Sequence, residues 1–238
     1  MIRRPRGHSL RLANDKPVPS PAREQQALPT TAGQSRMKRF VDIVLSALFL
    51  VAAAPFAAVI AVLIRLDSPG PVIFKTTRVG KDSKHFTLYK FRTMGVDAEA
   101  RLPSLAHLNL GGRRLIRISD DPRVTRVGRL LRRTDLDELP QLVNVLKGEM
   151  SLVGPRPQAP NEVALYSSQE RRRLGVRPGL TGLWQVNARA NPSFDEWMRW
   201  DIQYVSNWSI RLDLAIIART AWMVASALVG KPALETRP

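Results

Sequence analysis

The longest apolar stretch of the chain covers residues 40–64, where only Asp42, Ser46 and Pro55 interrupt the hydrophobic side chains. As a straight helix this stretch is long enough to cross a bilayer, which needs about 20 residues. It is too long, and it begins too far along the chain, for a secretory signal. The pattern therefore predicts a membrane helix over residues 37–66. Two forms stay open, a simple transmembrane span and a re-entrant hairpin that enters and leaves the same leaflet.

Two features favour the re-entrant form, in which a helix, a break and a second helix follow one another. Pro55 lies near the centre, lacks an N–H and clashes with the carbonyl of Val51, so it permits a sharp bend. Residues 1–39 carry nine Lys and Arg against two acids, and the flank beyond residue 64 is also basic. Because cytoplasmic flanks are normally the basic ones, a hairpin with both flanks in the cytosol fits this pattern better than a span.

The chain after the apolar stretch is predicted to form one domain over residues 67–230, of the α-rich α+β class. Two alternating runs, 72–79 and 85–94, are separated by a short polar segment and are typical of a small β-hairpin. Apolar positions with helical spacing follow at 124–131 among many arginines, which predicts a basic amphipathic helix. A second helix face covers 139–146 and ends at a glycine.

A cluster of aromatic residues precedes the last apolar run, residues 212–229. Asp213 and Arg219 interrupt this run, so it is a poor spanning helix. Tryptophan and arginine are both stable at a membrane surface, which favours an amphipathic interfacial helix. The same pattern fits an ordinary core helix with aromatic packing, and both forms stay open. The aromatic residues are Trp197, Trp200, Tyr204 and Trp208.

The two ends of the chain show no apolar periodicity. Residues 1–36 are rich in proline and in basic residues and are predicted to form a disordered basic tail. Residues 231–238 are predicted to form a short C-terminal tail.

The composition narrows the chemistry of the protein and of its partners. The chain has no cysteine and its three histidines are scattered, which excludes disulfides, thiolate catalysis and Cys-ligated zinc. A metal would be a hard cation held by carboxylates and phosphates. The net charge of +17 predicts an anionic partner, such as nucleic acid, lipid headgroups or a phosphorylated substrate. No recognised nucleic-acid-binding module is present, so nucleic acid is not the expected partner.

Three acids, Asp135, Asp137 and Glu138, stand where the helix over 139–146 is predicted to begin. Acids there favour the helix dipole, and Asp135 with Glu138 resembles a capping box, so a structural role is the simplest interpretation. Surrounding cations favour chemistry instead. A carboxylate can attack phosphorus to form a reactive acyl phosphate, while Mg²⁺ and arginines neutralise a pyrophosphate. The nearby cations are Arg129, Arg132, Arg133, Lys147 and Arg156, the last in a rigid Gly-Pro-Arg-Pro loop that suits either phosphate binding or a structural ion pair.

Several longer strings, in a fixed order, make the chain similar to a known family. It resembles the bacterial sugar transferase family, the small monotopic polyprenyl-phosphate phosphoglycosyl transferases, from about residue 38 to residue 227. The strings are Lys38-Arg39-Phe40-x-Asp42, Ser68-x-Gly70-Pro71, Lys90-Phe91-Arg92-Thr93-Met94, Asp121-Pro122-Arg123-Val124-Thr125, Leu136-Asp137-Glu138-Leu139-Pro140-Gln141-Leu142, Met150-Ser151-Leu152-Val153-Gly154-Pro155-Arg156-Pro157 and Arg177-Pro178-Gly179-Leu180-Thr181-Gly182-Leu183-Trp184-Gln185-Val186.

The resemblance implies a fold and a set of site residues. It implies a re-entrant membrane helix broken at Pro55 and a cytosolic phosphoglycosyl transferase domain with amphipathic interfacial helices. It implies that Asp137 is the nucleophile, that Glu138 together with Asp137 holds Mg²⁺, and that Arg156 lies in the active site. The further candidates for substrate binding are Arg132, Arg133, Lys147 and Arg177.

The resemblance also implies a reaction and a location. A sugar 1-phosphate would pass from a UDP-sugar to Asp137 with release of UMP, and then to polyprenyl (undecaprenyl) phosphate, which initiates the assembly of an exopolysaccharide, O-antigen or other glycan. The enzyme would lie on the cytosolic face of the bacterial inner membrane, among anionic lipids. A non-catalytic basic membrane adaptor, or a nucleic-acid-binding membrane protein, would explain the charge but not the intact pair of acids. The sequence does not indicate which sugar is used.

Overall fold

The computed structural model describes residues 36–109, 118–188 and 193–229, and the two predicted tails lie outside these ranges except for Arg36. The described chain is richer in helix than in strand, as the predicted α+β class requires. The helices are α1 (Arg36–Asp67), α2 (Ala98–Arg101), α3 (Arg126–Thr134), α4 (Gln141–Lys147), α5 (Pro160–Val163), α6 (Leu183–Asn187), α7 (Phe194–Ser206) and α8 (Ile210–Leu228). The strands are β1 (Ile73–Val79), β2 (His85–Phe91), β3 (Ser151–Val153) and β4 (Gly179–Thr181). Short 3₁₀ turns cover Lys81–Ser83, Pro103–Leu108, Leu136–Glu138 and Glu170–Gly175.

The predicted membrane helix is present as α1, which is 32 residues long and contains Pro55. Among the described residues, α1 is the one helix that is long and apolar enough to cross a membrane by length and composition. The helix continues on both sides of Pro55. The break predicted at this proline therefore stays a prediction.

One face of α1 packs against the rest of the protein near the start and near the end of the helix. Lys38, Asp42 and Ser46 are buried near its start, and Ile60 and Ile64 are buried near its end. Within each group these positions recur every four residues, as one face of a helix does. Much of the remaining surface of α1 is apolar and strongly exposed. Its members include Phe40, Val51, Phe56 and Leu66.

Both ends of α1 contact the same domain. Near the start, Nζ of Lys38 donates a hydrogen bond to the carbonyl of Val153 at 3.0 Å. Near the end, Oδ2 of Asp67 accepts a hydrogen bond from the N–H of Val127 at 2.9 Å. Both ends of α1 are therefore held to the same domain.

The predicted antiparallel hairpin is confirmed, and β1 pairs with β2 so that Val79 lies opposite His85. A second, parallel pair joins β3 to β4, with Ser151 opposite Gly179. This pair was not predicted, because three-residue strands are too short to show an alternating pattern. The pair fixes the start of the Gly-Pro-Arg-Pro loop, which follows directly after Val153.

The main hydrophobic core forms where β3, α4, α7 and α8 meet. On α8, Leu212 and Ile216 are buried in this core, while Leu214 and Trp222 on the same helix are exposed. The core form is therefore confirmed for one face of the helix, and the interfacial form stays a prediction for the exposed face. Core members include Leu142, Val145, Met150, Leu152, Val186, Tyr204, Leu212 and Ile216.

The predicted basic amphipathic helix is α3, and its first turn packs closely against the chain that leaves β2. Thr125 caps the helix, because its Oγ1 accepts a hydrogen bond from the N–H of Gly128 at 3.0 Å. A Cβ atom on Gly128 would lie 2.1 Å from the carbonyl oxygen of Thr93, which is closer than atoms can approach. The absence of a side chain at Gly128 therefore allows the contact that orients α3 towards the acids.

We expect Gly128→Ala to destabilise the protein. The new methyl group meets main-chain atoms that cannot move away cheaply, and such overpacking typically costs about 1–3 kcal/mol. Gly175→Ala is the matched control, because no atom lies within 4 Å of a Cβ at that position. Thermal unfolding of the purified protein in detergent is the measurement. Equal melting temperatures for the two variants would contradict the packing described for α3.

Candidate active site

Asp137 and Glu138, called the acid pair below, lie in the 3₁₀ turn that joins α3 to α4. The helix α3 ends because Asp135 takes a left-handed conformation with φ of 58°, which aspartate tolerates better than most residues. The side chain of Asp135 makes no capping hydrogen bond to this turn. The capping box suggested by the sequence is therefore not formed, and the carboxylate of Glu138 is free to bind groups from other segments.

Lys90, near the end of β2, joins the two acids. Its Nζ lies 2.7 Å from Oε1 of Glu138 and 3.5 Å from Oδ2 of Asp137. Nη1 of Arg156 donates to the same Oε1 of Glu138 at 3.2 Å. Three separate segments, the strand β2, the 3₁₀ turn and the Gly-Pro-Arg-Pro loop, therefore meet at the acid pair.

Lys90 was not among the site residues predicted from the sequence. Lys90 belongs to one of the strings that carry the family resemblance, but a string does not say which of its members face the acids. Arg92, from the same string, donates to the carbonyls of Ser68 and Pro69 and holds the turn that follows α1. Alternation along β2 separates Lys90 from its buried neighbour Phe91. It does not separate Lys90 from Arg92, which lies two residues further on.

The two acids differ in how burial is balanced by nearby positive charge. Burial raises the pKa of Asp137, and the charge of Lys90 opposes this rise. Burial acts on Glu138 in the same direction, but Lys90 and Arg156 outweigh it and lower the pKa of Glu138 to about 2. Glu138 is therefore ionised at any physiological pH. Asp137 is the acid whose ionisation depends on the charge beside it.

Arg132 is brought near the acid pair, and Arg133 is not seen to contact it. The positive charge of Arg132 lowers the pKa of Asp137, and its Nε donates to Oγ1 of Thr93 at 2.9 Å. The side chain of Arg133 is exposed. The substrate-binding role of both arginines stays a prediction.

Lys147 and Arg177 lie in other surroundings. Nζ of Lys147 donates to the hydroxyl of Tyr89 at 3.0 Å and lies over the ring of the same tyrosine. Nε of Arg177 donates to the carbonyl of Gly148 at 2.8 Å, at the end of α4. These contacts stabilise the helix that follows the acid pair, and a direct role in substrate binding stays a prediction for each.

Arg78 on β1 is a further cation that was not predicted from the sequence to belong to the site. Burial lowers its pKa, and the positive charge of Arg156 lowers it further, which indicates that the two guanidinium groups are neighbours. Nη1 of Arg78 lies 3.8 Å from Oε2 of Glu162, a long distance for an ion pair. The charges of Glu162 and Glu138 oppose this fall in the pKa of Arg78, so Arg78 adds to the positive charge beside the acid pair.

A family model described as bacterial sugar transferase matches residues 33–227 of this chain. The chain belongs to this family. The family predicted from the sequence is thereby confirmed.

The regions of similarity to related proteins span most of this sugar transferase. They span only part of the length of some of these relatives. The galactosyl transferase CpsE of Streptococcus agalactiae is 44% identical over 189 residues, which are 79% of this chain and 42% of CpsE. The exopolysaccharide production protein ExoY of Sinorhizobium fredii is 39% identical over 77% of this chain and 83% of its own length. The UDP-glucose:undecaprenyl-phosphate glucose-1-phosphate transferase of Escherichia coli is 39% identical over 78% of this chain and 39% of its own length.

The acid pair of this sugar transferase fits a metal ion that is shared with a substrate. Among the described residues, no three His, Cys, Asp or Glu side chains form a group that holds an ion. Mg²⁺ is commonly held by one or two carboxylates together with waters and substrate phosphates. Asp137 and Glu138 supply oxygen donors of this kind on adjacent residues, so they suit Mg²⁺ bound with a diphosphate.

We expect Lys90→Met to move the acid limb of the pH–activity profile of the sugar transferase to higher pH. The charge of Lys90 opposes the effect of burial on Asp137. Without it the pKa of Asp137 rises further, so an activity that requires the carboxylate is lost earlier as the pH falls. The measurement is the initial rate of UMP release from about pH 5 to pH 9.

Lys84→Met is the control for this experiment, because Lys84 is exposed and lies in the turn of the same hairpin. Its acid limb should match that of the wild-type protein. An unchanged acid limb in Lys90→Met would show that Asp137 does not depend on Lys90.

Proposed function

We propose that this sugar transferase moves a sugar 1-phosphate from a UDP-sugar to undecaprenyl phosphate and releases UMP. The name of the Escherichia coli relative, which includes UDP-glucose and undecaprenyl phosphate, supports this pair of substrates. The ExoY relative is named for exopolysaccharide production, which supports a place at the start of exopolysaccharide assembly. One relative is named for galactose and another for glucose, so the sugar is left open.

The observation that carries the proposal is a pair of adjacent carboxylates in unequal surroundings. Glu138 contacts both Lys90 and Arg156 and is fully compensated. Asp137 is buried, and its distance to Nζ of Lys90 is 3.5 Å, which is longer than a strong hydrogen bond. A carboxylate that is held out of water and weakly paired is available to attack an electrophile, whereas a carboxylate that is tightly paired serves better as a fixed negative charge.

The reaction has two steps at one phosphorus atom. An oxygen of Asp137 attacks the β-phosphorus of the UDP-sugar, the bond from this phosphorus to the oxygen that bridges the two phosphates breaks, and UMP leaves with that oxygen. An oxygen of undecaprenyl phosphate then attacks the phosphorus held on Asp137, and the carboxylate is released. Each step exchanges one P–O bond for another, so the reaction needs no oxidant or reductant.

The cations around the acid pair suit the charge that moves during these steps. Lys90 and Arg156 lie beside the acid pair, which supports a role for them in stabilising the negative charge of the transferring phosphoryl group and of the leaving UMP. Asp137 and Glu138 would hold Mg²⁺ together with the diphosphate, and the ion would supply further charge neutralisation. Glu138, with its low pKa, remains an anionic ligand throughout the pH range in which Asp137 is able to act.

We infer that α1 is re-entrant and that the domain lies on the cytosolic face of the inner membrane. The contacts of Lys38 and of Asp67 with one domain support a helix whose two ends share one side of the bilayer. The exposed apolar face of α1 and the exposed Trp222 on α8 suit contact with lipid. The basic flanks of α1 suit the cytosol and its anionic lipids.

Introduced cysteines test this topology, because the natural chain has none. We expect cysteines at Ser35 and at Ser68, on the two sides of α1, to resist a membrane-impermeant thiol reagent in intact cells. Both should react after the membrane is permeabilised, which shows that each cysteine is reachable. Labelling of one position but not the other in intact cells would indicate a transmembrane span.

A trapped adduct tests the covalent mechanism. Wild-type protein incubated with Mg²⁺ and a panel of UDP-sugars, but without lipid phosphate, should gain the mass of one sugar phosphate on the peptide that contains Asp137. Asp137→Asn keeps the size of the side chain but removes its nucleophilic charge, so the adduct should vanish and turnover should fall by roughly 10³ or more. Intact-protein and peptide mass spectrometry measure the adduct, and UMP release measures turnover.

Asp135→Asn is the matched control for the adduct experiment, because asparagine also accepts the left-handed conformation of this position. It should keep both the adduct and most of the turnover. An adduct on Glu138 or Asp135 would reassign the nucleophile. Steady turnover without any adduct would favour direct transfer between two bound substrates.

A further inference from the structure

The Gly-Pro-Arg-Pro loop, residues 154–157, carries the arginine that reaches the acid pair, and strand-like hydrogen bonds hold its first half. The N–H of Gly154 donates to the carbonyl of Thr181 at 2.9 Å, and the N–H of Gly179 donates to the carbonyl of Pro155 at 2.8 Å. The loop residues that make these two hydrogen bonds, Gly154 and Pro155, precede Arg156 in the chain. The main chain at the arginine itself is held in a different way, by a side chain.

The carbonyl of Arg156 accepts a hydrogen bond at 2.6 Å from Nη2 of Arg173. The same Nη2 pairs with Oδ2 of Asp201 at 2.5 Å, and Nη1 donates to the hydroxyl of Tyr166. Arg173 and Asp201 are 3% and 2% exposed. One buried guanidinium group therefore joins the Gly-Pro-Arg-Pro loop, the turn Glu170–Gly175 and the helix α7.

Stability is a poor explanation for this arrangement. The transfer of each charge out of water costs several kcal/mol, and apolar residues of similar volume are often equally or more stable than a buried ion pair. Nε of Arg173 and Oδ1 of Asp201 are also buried without a hydrogen-bond partner among the described residues, which adds to the cost. The geometric effect is specific, because a planar guanidinium group donates along fixed directions.

The side chain of Arg156 depends on its main chain for its position. It is 38% exposed, and its contact with Glu138 has a distance of 3.2 Å. A long, partly exposed side chain with this contact keeps much of its rotamer freedom. A fixed carbonyl at the same residue limits where the guanidinium group can reach.

We propose that Arg173 is a positioning residue for the transfer reaction, which acts by holding the carbonyl of Arg156 so that the Arg156 side chain meets Glu138 and the substrate phosphate. This inference rests on the proposed function. Arg173 contacts Arg156, Tyr166 and Asp201 and acts through the first of them. A substitution of Arg173 should therefore lower the activity only when residue 156 is an arginine.

A double-mutant cycle in the full-length protein tests this dependence, with kcat/KM measured for a radiolabelled UDP-sugar so that slow variants can be followed. Arg173→Lys cannot reproduce the fork of contacts. It should lower kcat/KM by roughly tenfold to a hundredfold, since a misplacement of about 1 Å can cost ~100-fold. In the Arg156→Ala background the same substitution should cost less than about twofold, because coupled residues are not additive.

Two further variants keep the test decisive. Tyr166→Phe removes one acceptor but preserves the ring and the ion pair, so it should fold and show a smaller loss that also disappears in the Arg156→Ala background. It replaces Arg173→Lys if that variant does not fold. Arg171→Lys is the matched control on the same turn, because Arg171 is exposed, and it should leave kcat/KM unchanged.

The outcomes separate this inference from the proposed function. The first outcome is that the wild-type protein turns over normally, but Arg173→Lys lowers kcat/KM by the same factor with Arg156 and with Arg156→Ala. This would overturn the inference alone and leave Arg173 as a structural residue. A wild-type protein that releases no UMP from any UDP-sugar would overturn the proposed function, and the inference with it.

Discussion

Lys38 carries a positive charge into the interior of the protein, and several elements are arranged to compensate it. Its Nζ lies 2.6 Å from Oδ2 of Asp213 and also donates to the carbonyl of Val153. The hydroxyl of Tyr204 donates to the other oxygen of Asp213 at 2.8 Å, and the indole N–H of Trp208 donates to Oδ2 at 3.0 Å. A buried charge without partners is very costly, so α1, β3, α7 and α8 are held to this arrangement.

The same arrangement connects the membrane helix to the chemistry. Asp42, one turn after Lys38, accepts hydrogen bonds from the hydroxyl of Ser151 and the N–H of Leu152, both at 3.0 Å. These residues form β3, which runs directly into the loop that carries Arg156. Arg156 in that loop and Lys90 at the end of β2 keep Glu138 ionised, while Asp137 is only partly compensated. The position of the helix and the electrostatic surroundings of Asp137 thus depend on one framework.

The sequence predicted those features that a local pattern can encode. The helix α1, the hairpin and the helices α3 and α4 extend over seven or more residues, so their periodicity is visible. The acid pair was found from its charged surroundings and from the family resemblance. Lys90 was missed because its contact with Glu138 joins residues 48 positions apart. The capping box was wrong because the left-handed conformation of Asp135 starts a 3₁₀ turn, in which Glu138 faces Lys90 and Arg156.

The distance along the chain between Lys38 and its partner has a consequence for biosynthesis. Asp213 is made 175 residues after Lys38, and at ~5–20 residues per second a ribosome needs on the order of ten seconds or more to add them. During this interval the ammonium group of Lys38 lacks its counter-ion from α8. The ion pair of Lys38 with Asp213 therefore forms only after α8 has been made. The start of α1 reaches its final contacts late, when the last helix of the described chain is available.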